Sequence, residues 1–343
     1  MSLPLDLSYV VPVRWRDGGQ RQELAAYLAE IAPRCAELIV VDGSPAEVYA
    51  ANGAAWGEFV THVPPLPDER WLMGKVSGVR TGIRLASHER VVIADDDVRY
   101  DLEALRRTAA LLGAYDLVRP QNYVSSLPWH ARWDTARTLL NRCFGRDYPG
   151  TLAVRRSRLL AIGLYDGDVL FENLELIRTV RADGGSEVAP LDLYVARTPP
   201  SSTHFWGQRT RQAYDDFALP LRMALWLAVV PLLALAPRRM RFGPLAAAVA
   251  VACAERGRRR AGGAERFPAS SSLLAPVWVL ERGICAWLAV LQRMRFGGVR
   301  YGDSVIPLAA HSERQLRLRQ QAASSPARPR VRRRAVSPRA RSG

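Results

Sequence analysis

Three consecutive carboxylates, Asp95-Asp96-Asp97, follow the apolar run Val91-Val92-Ile93-Ala94. Acidic side chains in a row after a buried strand repel one another unless a cation neutralises them. In an extended turn Asp95 and Asp97 point to the same side, so their carboxylates can converge on a divalent ion. Hard oxygen ligands of this kind suit Mg²⁺ or Mn²⁺. Such an ion can bridge the phosphates of a bound nucleotide and stabilise charge developing on a diphosphate leaving group. The same triplet also suits a helix N-terminus, where Asp caps the backbone and complements the helix dipole. Residue types alone leave both readings open.

Other groups stand at comparable places. Asp42-Gly43-Ser44 follows the run Leu38-Ile39-Val40-Val41, where Asp42 either meets a ligand or caps a turn. Lys75 is the only lysine among 48 basic residues, which marks it for attention. Phe171-Glu172-Asn173-Leu174-Glu175 opens a helix expected to reach about Ala182 and to end at Gly184-Gly185. The segment from His204 to Gln212 mixes aromatics with cations, and His204 and Trp206 read first as packing residues. The four cysteines, Cys35, Cys143, Cys253 and Cys285, share no metal-ligand spacing and read as reduced thiols of a cytosol-facing protein.

Elements that could position these groups alternate along residues 8–120. Apolar runs of strand length lie at 8–13, 38–41, 91–94 and 115–118, with helical stretches near 20–32, 75–87 and 101–113 between them. Continuous apolar strands separated by helices predict a parallel sheet covered on both faces. In such sheets ligands bind in the crevice beyond the carboxyl ends of the strands. Asp42 and the Asp95-Asp97 turn both fall at such ends.

With these motifs in order, the sequence resembles family 2 glycosyltransferases over roughly residues 8–215. The residues that carry the resemblance are Val10-Val11-Pro12-Val13, Leu38 to Ser44, Gly74-Lys75 with Gly82-Ile83, and Val91 to Val98. Phe171-Glu172-Asn173 is similar to that family's Glu-Asp motif, and Gln208-Arg209-Thr210-Arg211-Gln212 to its Gln-x-x-Arg-Trp motif. Motifs followed by apolar C-terminal segments resemble most the membrane-attached, ceramide-glucosyltransferase-like members. The resemblance implies a GT-A nucleotide-diphospho-sugar transferase fold with a mainly parallel sheet. It implies that Pro12 and Asp42 border the nucleotide base, that Lys75 lies near base or phosphates, and that Asp95 meets the ribose or the metal. Asp97 would coordinate a divalent Mg²⁺ or Mn²⁺, and Gln208 and Arg211 would close over the diphosphate, where a guanidinium fork suits phosphate oxygens.

Two positions depart from the family pattern. Its usual general base is the Asp of the Glu-Asp pair, and here Asn173 stands there; an amide accepts no proton at neutral pH. Glu172 is therefore expected to be the catalytic base, with Glu175 the next carboxylate along the helix. Gln212 replaces the Trp of the second motif and removes a stacking surface for the acceptor.

Beyond Pro199-Pro200 the character changes. Met223 to Ala236 has 14 uncharged residues interrupted by Pro231, Gly243 to Ala254 has 12, and Glu281-Arg282 breaks the apolar run from Leu273 to Leu291. Each falls short of the roughly 20 residues a perpendicular span requires. They read as interfacial or hairpin-like membrane contacts, or else as buried helices of a soluble domain. Of the net charge of +15, much sits in 311–343, which carries ten arginines against one glutamate. Such a segment reads as disordered and suits anionic lipid, nucleic acid or simple solubility.

The organisation expected is a catalytic domain at 1–215, a membrane-associating helical region at 216–310 and a disordered basic tail at 311–343. The function expected is transfer of a sugar, with inversion, from a nucleotide-diphosphate sugar to an acceptor hydroxyl on a lipid or glycan. The protein would sit at the cell membrane with its catalytic domain facing the cytoplasm, and nucleic acid is not an expected partner. A nucleotidyltransferase on a similar sheet and a catalytically silent nucleotide-binding protein remain as alternatives.

Overall fold

Period-two alternation along the first apolar run splits its side chains between two cores. In β1 (Leu5–Val13), Leu7, Tyr9, Val11 and Val13 face one layer of helices while Val10 faces the other. The chain goes on through α1 (Arg21–Ile31), β2 (Cys35–Asp42), α2 (Ala46–Trp56), β3 (Thr61–Val63) and α3 (Gly74–Leu85). Then follow β4 (Arg90–Ala94), β5 (Val98–Arg99), α4 (Leu102–Leu111), β6 (Leu117–Val118), β7 (Gln121–Val124) and α5 (Trp129–Phe144). Next come β8 (Thr151–Arg155), α6 (Arg156–Ala161), α7 (Glu172–Ala182), β9 (Glu187–Val188), β10 (Tyr194–Arg197) and α8 (Ser202–Tyr214). The last third holds α9 (Pro220–Leu235), α10 (Phe242–Arg259), α11 (Ala269–Leu273) and α12 (Ala275–Phe296). It closes with β11 (Val299–Tyr301), β12 (Ser304–Ile306) and α13 (Glu313–Ser324). This computed structural model describes residues 3–235, 242–302 and 304–324.

The main sheet has seven strands in the order β3-β2-β1-β4-β8-β6-β9. Its β1–β2, β2–β3, β1–β4 and β6–β9 pairs are parallel. Strand β8 runs antiparallel to both neighbours, so the sheet is mainly rather than wholly parallel. One core joins Val10, Ile39, Val41, Val91 and Ile93 to Val76, Val79 and Ile83 of α3 and to Leu174 and Ile177 of α7. The other joins Leu7, Tyr9, Val11, Val40 and Val92 to Leu24, Leu28 and Ile31 of α1 and Leu105 of α4. Each fully buried Val, Leu or Ile contributes about 1.5–3 kcal/mol. At Gly82 a Cβ would collide with Val10, so the close seat of α3 on β1 requires glycine there.

The chain order places a crevice. After β1 the chain steps to β2 and β3 on one side, then crosses to β4 on the other. The carboxyl ends of β1 and β4 therefore flank a topological switch point, where open α/β sheets bind ligands. A second sheet, β5-β10-β7, lies beside it, and its β10 register sets Arg197 opposite Val98.

The C-terminal third is not separate from this body. Cys285 and Ala289 of α12, Val299 and Ile306 join the α3/α7 core. A third core packs Met223 and Trp226 of α9 and Trp278 and Ala286 of α12 against Ala136 and Leu139 of α5. Among the described residues no helix is long and apolar enough to cross a membrane. The break at Glu281-Arg282 is part of the reason: Arg282 is buried, and Glu281 accepts from Arg209 Nη2 at 2.6 Å.

The tail expected to be disordered from residue 311 begins with ordered structure. Buried His311 bonds Glu175 through its backbone N and its Nδ1, both at 2.8 Å, and α13 packs on α7. This anchors the segment that composition alone assigned to solvent. The remainder, 325–343, lies outside the described residues.

Candidate active site

Two adjoining cavities lie beyond the carboxyl ends of β1 and β4. The outer one, of about 620 Å³, is lined by Pro12, Trp15, the Asp95-Asp97 turn, His204 and Arg211. The inner one, of about 210 Å³, is lined by Tyr148, Glu172, Asn173, Gln212, Asp215 and Arg282. Lys75, Asp95, Arg197 and Gln208 line both. These four side chains are the shared wall.

Lys75, in the first turn of α3, supplies the centre of that wall. Its Nζ lies 2.6 Å from Asp95 Oδ1 and 2.6 Å from Glu172 Oε1. Burial alone would lower the lysine pKa, but Asp95 and Glu172 outweigh it and hold the ammonium well above the usual range. The only lysine of the chain therefore ties the acidic turn after β4 to the first residue of α7.

The acidic turn is gripped from several directions. Arg197, at the end of β10, reaches Asp97 Oδ2 with Nη2 at 2.6 Å and comes within 3.7 Å of Asp95 Oδ2. Trp15 Nε1 donates to Asp96 Oδ2 at 2.6 Å. Burial and the neighbouring Asp97 push the Asp96 carboxyl up to about 6, against the opposing Trp15 hydrogen bond. Asp95 and Asp97 thus both lie against one cationic neighbour, Arg197. Among the described residues no group of three His, Cys, Asp or Glu side chains could hold a metal alone. Two carboxylates whose remaining partners are substrate phosphates are a customary Mg²⁺ arrangement, so the donor set fits if a phosphate completes it.

Helix α8 provides the facing wall. Ser201 caps it by accepting from His204 N at 3.2 Å. His204, Gln208 and Arg211 then fall on one helical face toward the outer cavity. Gln208 Nε2 contacts His204 Nε2, and Gln212 Nε2 donates to Gln208 Oε1 at 3.2 Å. The Arg211 guanidinium lies 5.2 Å from the Tyr301 ring centroid, joining the wall to the β11–β12 hairpin.

Of the residues singled out in the sequence, Pro12, Lys75, Asp95, Asp97, Gln208 and Arg211 meet at the outer cavity and Glu172 at the inner one. Asp42 lines neither. It is 1% exposed and accepts from Ser44 N at 2.9 Å and Asn52 Nδ2 at 2.8 Å, with His62 Nε2 at 3.1 Å. Burial would raise its pKa, yet these bonds, His62 first, hold it below the usual carboxylate range. Asp42 fixes the Gly43-Ser44 turn from behind. Glu175, the alternative base, is likewise withdrawn, with both oxygens on His311. Asn173 donates Nδ2 to Pro149 O at 3.0 Å.

Sequence reasoning missed Trp15, Arg197, Arg282 and Asp215. Trp15 follows β1 as the acidic triplet follows β4, so the strand-end rule was enough to find it. Asp215 lies one turn past Arg211 on the same helical face. Arg197 and Arg282 carried no signal, because long-range packing alone brings them to the site.

No protein-family model matches the chain, and no curated protein matches it. Among solved structures, the mannosyltransferase PcManGT from Pyrobaculum calidifontis, in complex with GDP-Man and Mn²⁺, is similar over 86% of this chain and 88% of its own. Its TM-score is 0.50 at 16% identity. The fold is that of GT-A-type glycosyltransferases. Glucosyl-3-phosphoglycerate synthase from Mycobacterium tuberculosis, solved with Mn²⁺, UDP and glucosyl-3-phosphoglycerate, aligns at TM-score 0.41 and 17% identity. That alignment covers 60% of this chain and 77% of the synthase.

Proposed function

We propose that the protein is a glycosyltransferase that moves a sugar from a nucleotide-diphosphate sugar to an acceptor hydroxyl, with inversion. The observation that carries this reading is the wall of Lys75, Asp95, Arg197 and Gln208 between two cavities. The outer cavity has the volume of a small-molecule site and cationic side chains suited to a diphosphate. The inner cavity would present the acceptor to the far side of the anomeric carbon, as in-line displacement requires.

Asp95 and Asp97 would hold a divalent Mg²⁺ or Mn²⁺ together with the donor phosphates. When bound, the ion neutralises charge on the departing diphosphate. Arg211 and Gln208 would close over the phosphates, and Pro12 and Trp15 would border the nucleoside. Asp42 would act through the turn it fixes. Glu172 brings the sequence-nominated carboxylate to the acceptor side, already held by Lys75.

A membrane face extends the reading. Leu221, Leu225, Leu232 and Leu235 of α9 and Val277, Leu280, Ile284, Leu288, Leu291 and Met294 of α12 are exposed. Their spacing makes an apolar stripe on each of two helices that pack together. Arg293 and Arg295 near the end of α12, and Arg259 at the end of α10, would meet anionic headgroups. This supports interfacial attachment at the cytoplasmic side of the cell membrane, as in ceramide-glucosyltransferase-like enzymes. Arg222 of α9 and Arg282 of α12 also wall the inner cavity, so the two striped helices reach the acceptor side, and a membrane lipid is the acceptor class proposed.

A thermal-shift panel of nucleotide sugars, each with and without Mn²⁺, tests the donor assignment. Stabilisation by at least one of them that requires the metal supports it. No stabilisation by any nucleotide contradicts it.

A further inference from the structure

Transfer to a hydroxyl releases a proton, and the carboxylates of the inner cavity differ in what already engages them. Glu172 Oε1 is held by Lys75 Nζ, and Asp95 Oδ1 by the same ammonium. Asp216 Oδ1 lies 2.9 Å from Arg222 Nε, and its Oδ2 3.6 Å from Arg282 Nη1. A proton arriving on Glu172 would have to break the Lys75 pair that fixes the shared wall. Asp216 Oδ2 accepts no hydrogen bond, but both Asp216 oxygens lie within ion-pair distance of a guanidinium. Asp215 Oδ1 is also buried with no hydrogen-bond partner among the described residues, and its side chain lines the inner cavity.

The helix explains why this carboxylate points there. His204, Gln208, Arg211 and Asp215 follow at spacings of four, three and four, one face of a helix. Asp215 caps the end of α8 with helical dihedrals, φ −56° and ψ −29°, so it stays on that face. The stripe that borders the outer cavity at His204 therefore ends in a carboxylate at the inner one.

We propose that Asp215 is the catalytic residue that takes the acceptor's proton and that Glu172 is a positioning residue acting through Lys75; this rests on the sugar-transfer reading. In the step, the acceptor O–H bond breaks and its proton goes to Asp215 Oδ1. The acceptor oxygen forms the new bond to the anomeric carbon. The bond from that carbon to the phosphate oxygen breaks, and the nucleoside diphosphate leaves with the electron pair.

The electrostatic surroundings agree. Burial, then the Glu172 and Asp216 charges, raise the Asp215 carboxyl well above the usual range, against Arg282 and Arg211. Across the cavity stand Lys75 of α3, Asp95 after β4, Arg137 of α5, Arg197 of β10 and Arg222 of α9. A carboxylate that binds its proton more tightly than usual is a stronger base once ionised. An unpaired buried carboxylate also costs stability, a common trade at catalytic positions.

The test uses the full chain with Mn²⁺, GDP-mannose and UDP-glucose as donors, water as acceptor, and nucleoside diphosphate release as the signal. D215N is expected to slow turnover about 10²–10⁴-fold and to lose the rise of rate with pH. Its affinity for GDP or UDP should not change. E172Q should be slower than wild type yet keep the pH-dependent rise. A second reading needs no turnover. Because the folded-state pKa is raised, ionising Asp215 costs stability as pH rises through that value, and Asn escapes the cost. D215N should therefore melt higher than wild type at about pH 8, and the gain should shrink as pH falls and vanish at about pH 3, below the unfolded carboxylate value. Normal turnover with an unchanged pH profile in D215N, or a lower melting temperature at alkaline pH, overturns the assignment alone. Release of nucleoside monophosphate and sugar 1-phosphate in place of nucleoside diphosphate, or no nucleoside diphosphate release by the wild type from any donor of a wider nucleotide-sugar panel, overturns the sugar-transfer reading and this assignment with it.

Discussion

Arg197 holds Asp97 with two donors, Nε 3.0 Å from Oδ1 and Nη2 2.6 Å from Oδ2. Asp97 is the residue expected to ligate a metal, and this fork engages both its oxygens. The same Nη2 is 3.7 Å from Asp95. The guanidinium thus supplies positive charge that three adjacent carboxylates need. Metal binding would compete with it, and donor phosphates offer Arg197 another partner.

Arg197→Ala should therefore tighten Mn²⁺ binding in the absence of nucleotide, by roughly tenfold, because a competing cation is removed. The same variant should weaken binding of the nucleoside diphosphate. Isothermal titration with the metal alone and then with GDP or UDP reads both effects. Metal affinity equal to or below wild type would show that Arg197 and the ion do not share a site.

Asp42→Asn tests whether that residue is structural. The change turns an amide toward donors that now meet a carboxylate, and should cost about 1–3 kcal/mol of stability. The folded pKa of Asp42 is depressed, so its stabilisation is present above the unfolded carboxylate pKa and lost as pH falls through the folded value. Denaturant midpoints of wild type and variant should differ at neutral pH and converge in acid. A variant of unchanged stability that binds nucleotide weakly would return Asp42 to the ligand.

Much of this site was legible because strand ends in an open α/β sheet are where chemistry collects. Asp95, Asp97 and Lys75 could be placed by strand pattern and resemblance, and α7 begins at Glu172 as its sequence suggested. Antiparallel β8 was not legible, since a buried strand reads the same in either direction. Asp42 reads two ways in the sequence because a carboxylate after a strand serves a turn as well as a ligand. Asp215 was legible in principle from the face shared with Gln208 and Arg211. Arg197 depended on the β5–β10 pairing across more than a quarter of the chain, which no local pattern reveals.

The apolar stripes of α9 and α12 predict attachment to anionic vesicles. Replacing Leu225, Leu232 and Leu291 together with Gln removes side chains that are 58%, 53% and 57% exposed. Each should contribute about 1 kcal/mol at a lipid interface, so the partition coefficient should fall roughly 100-fold. Sedimentation with phosphatidylglycerol-containing vesicles measures this, and folding of the variant is checked by its melting temperature. Equal sedimentation of the two proteins, or none by wild type, would remove the membrane face from the account.

The most direct measurement of the central claim follows the products formed from a panel of nucleotide sugars by wild type and Asp97→Asn, with and without Mn²⁺. The account predicts nucleoside diphosphate and sugar from at least one donor, dependent on the metal and lost in Asp97→Asn while the fold is retained. Nucleoside monophosphate and sugar 1-phosphate as the products, or wild-type turnover that is equally fast in Asp97→Asn without metal, would contradict it.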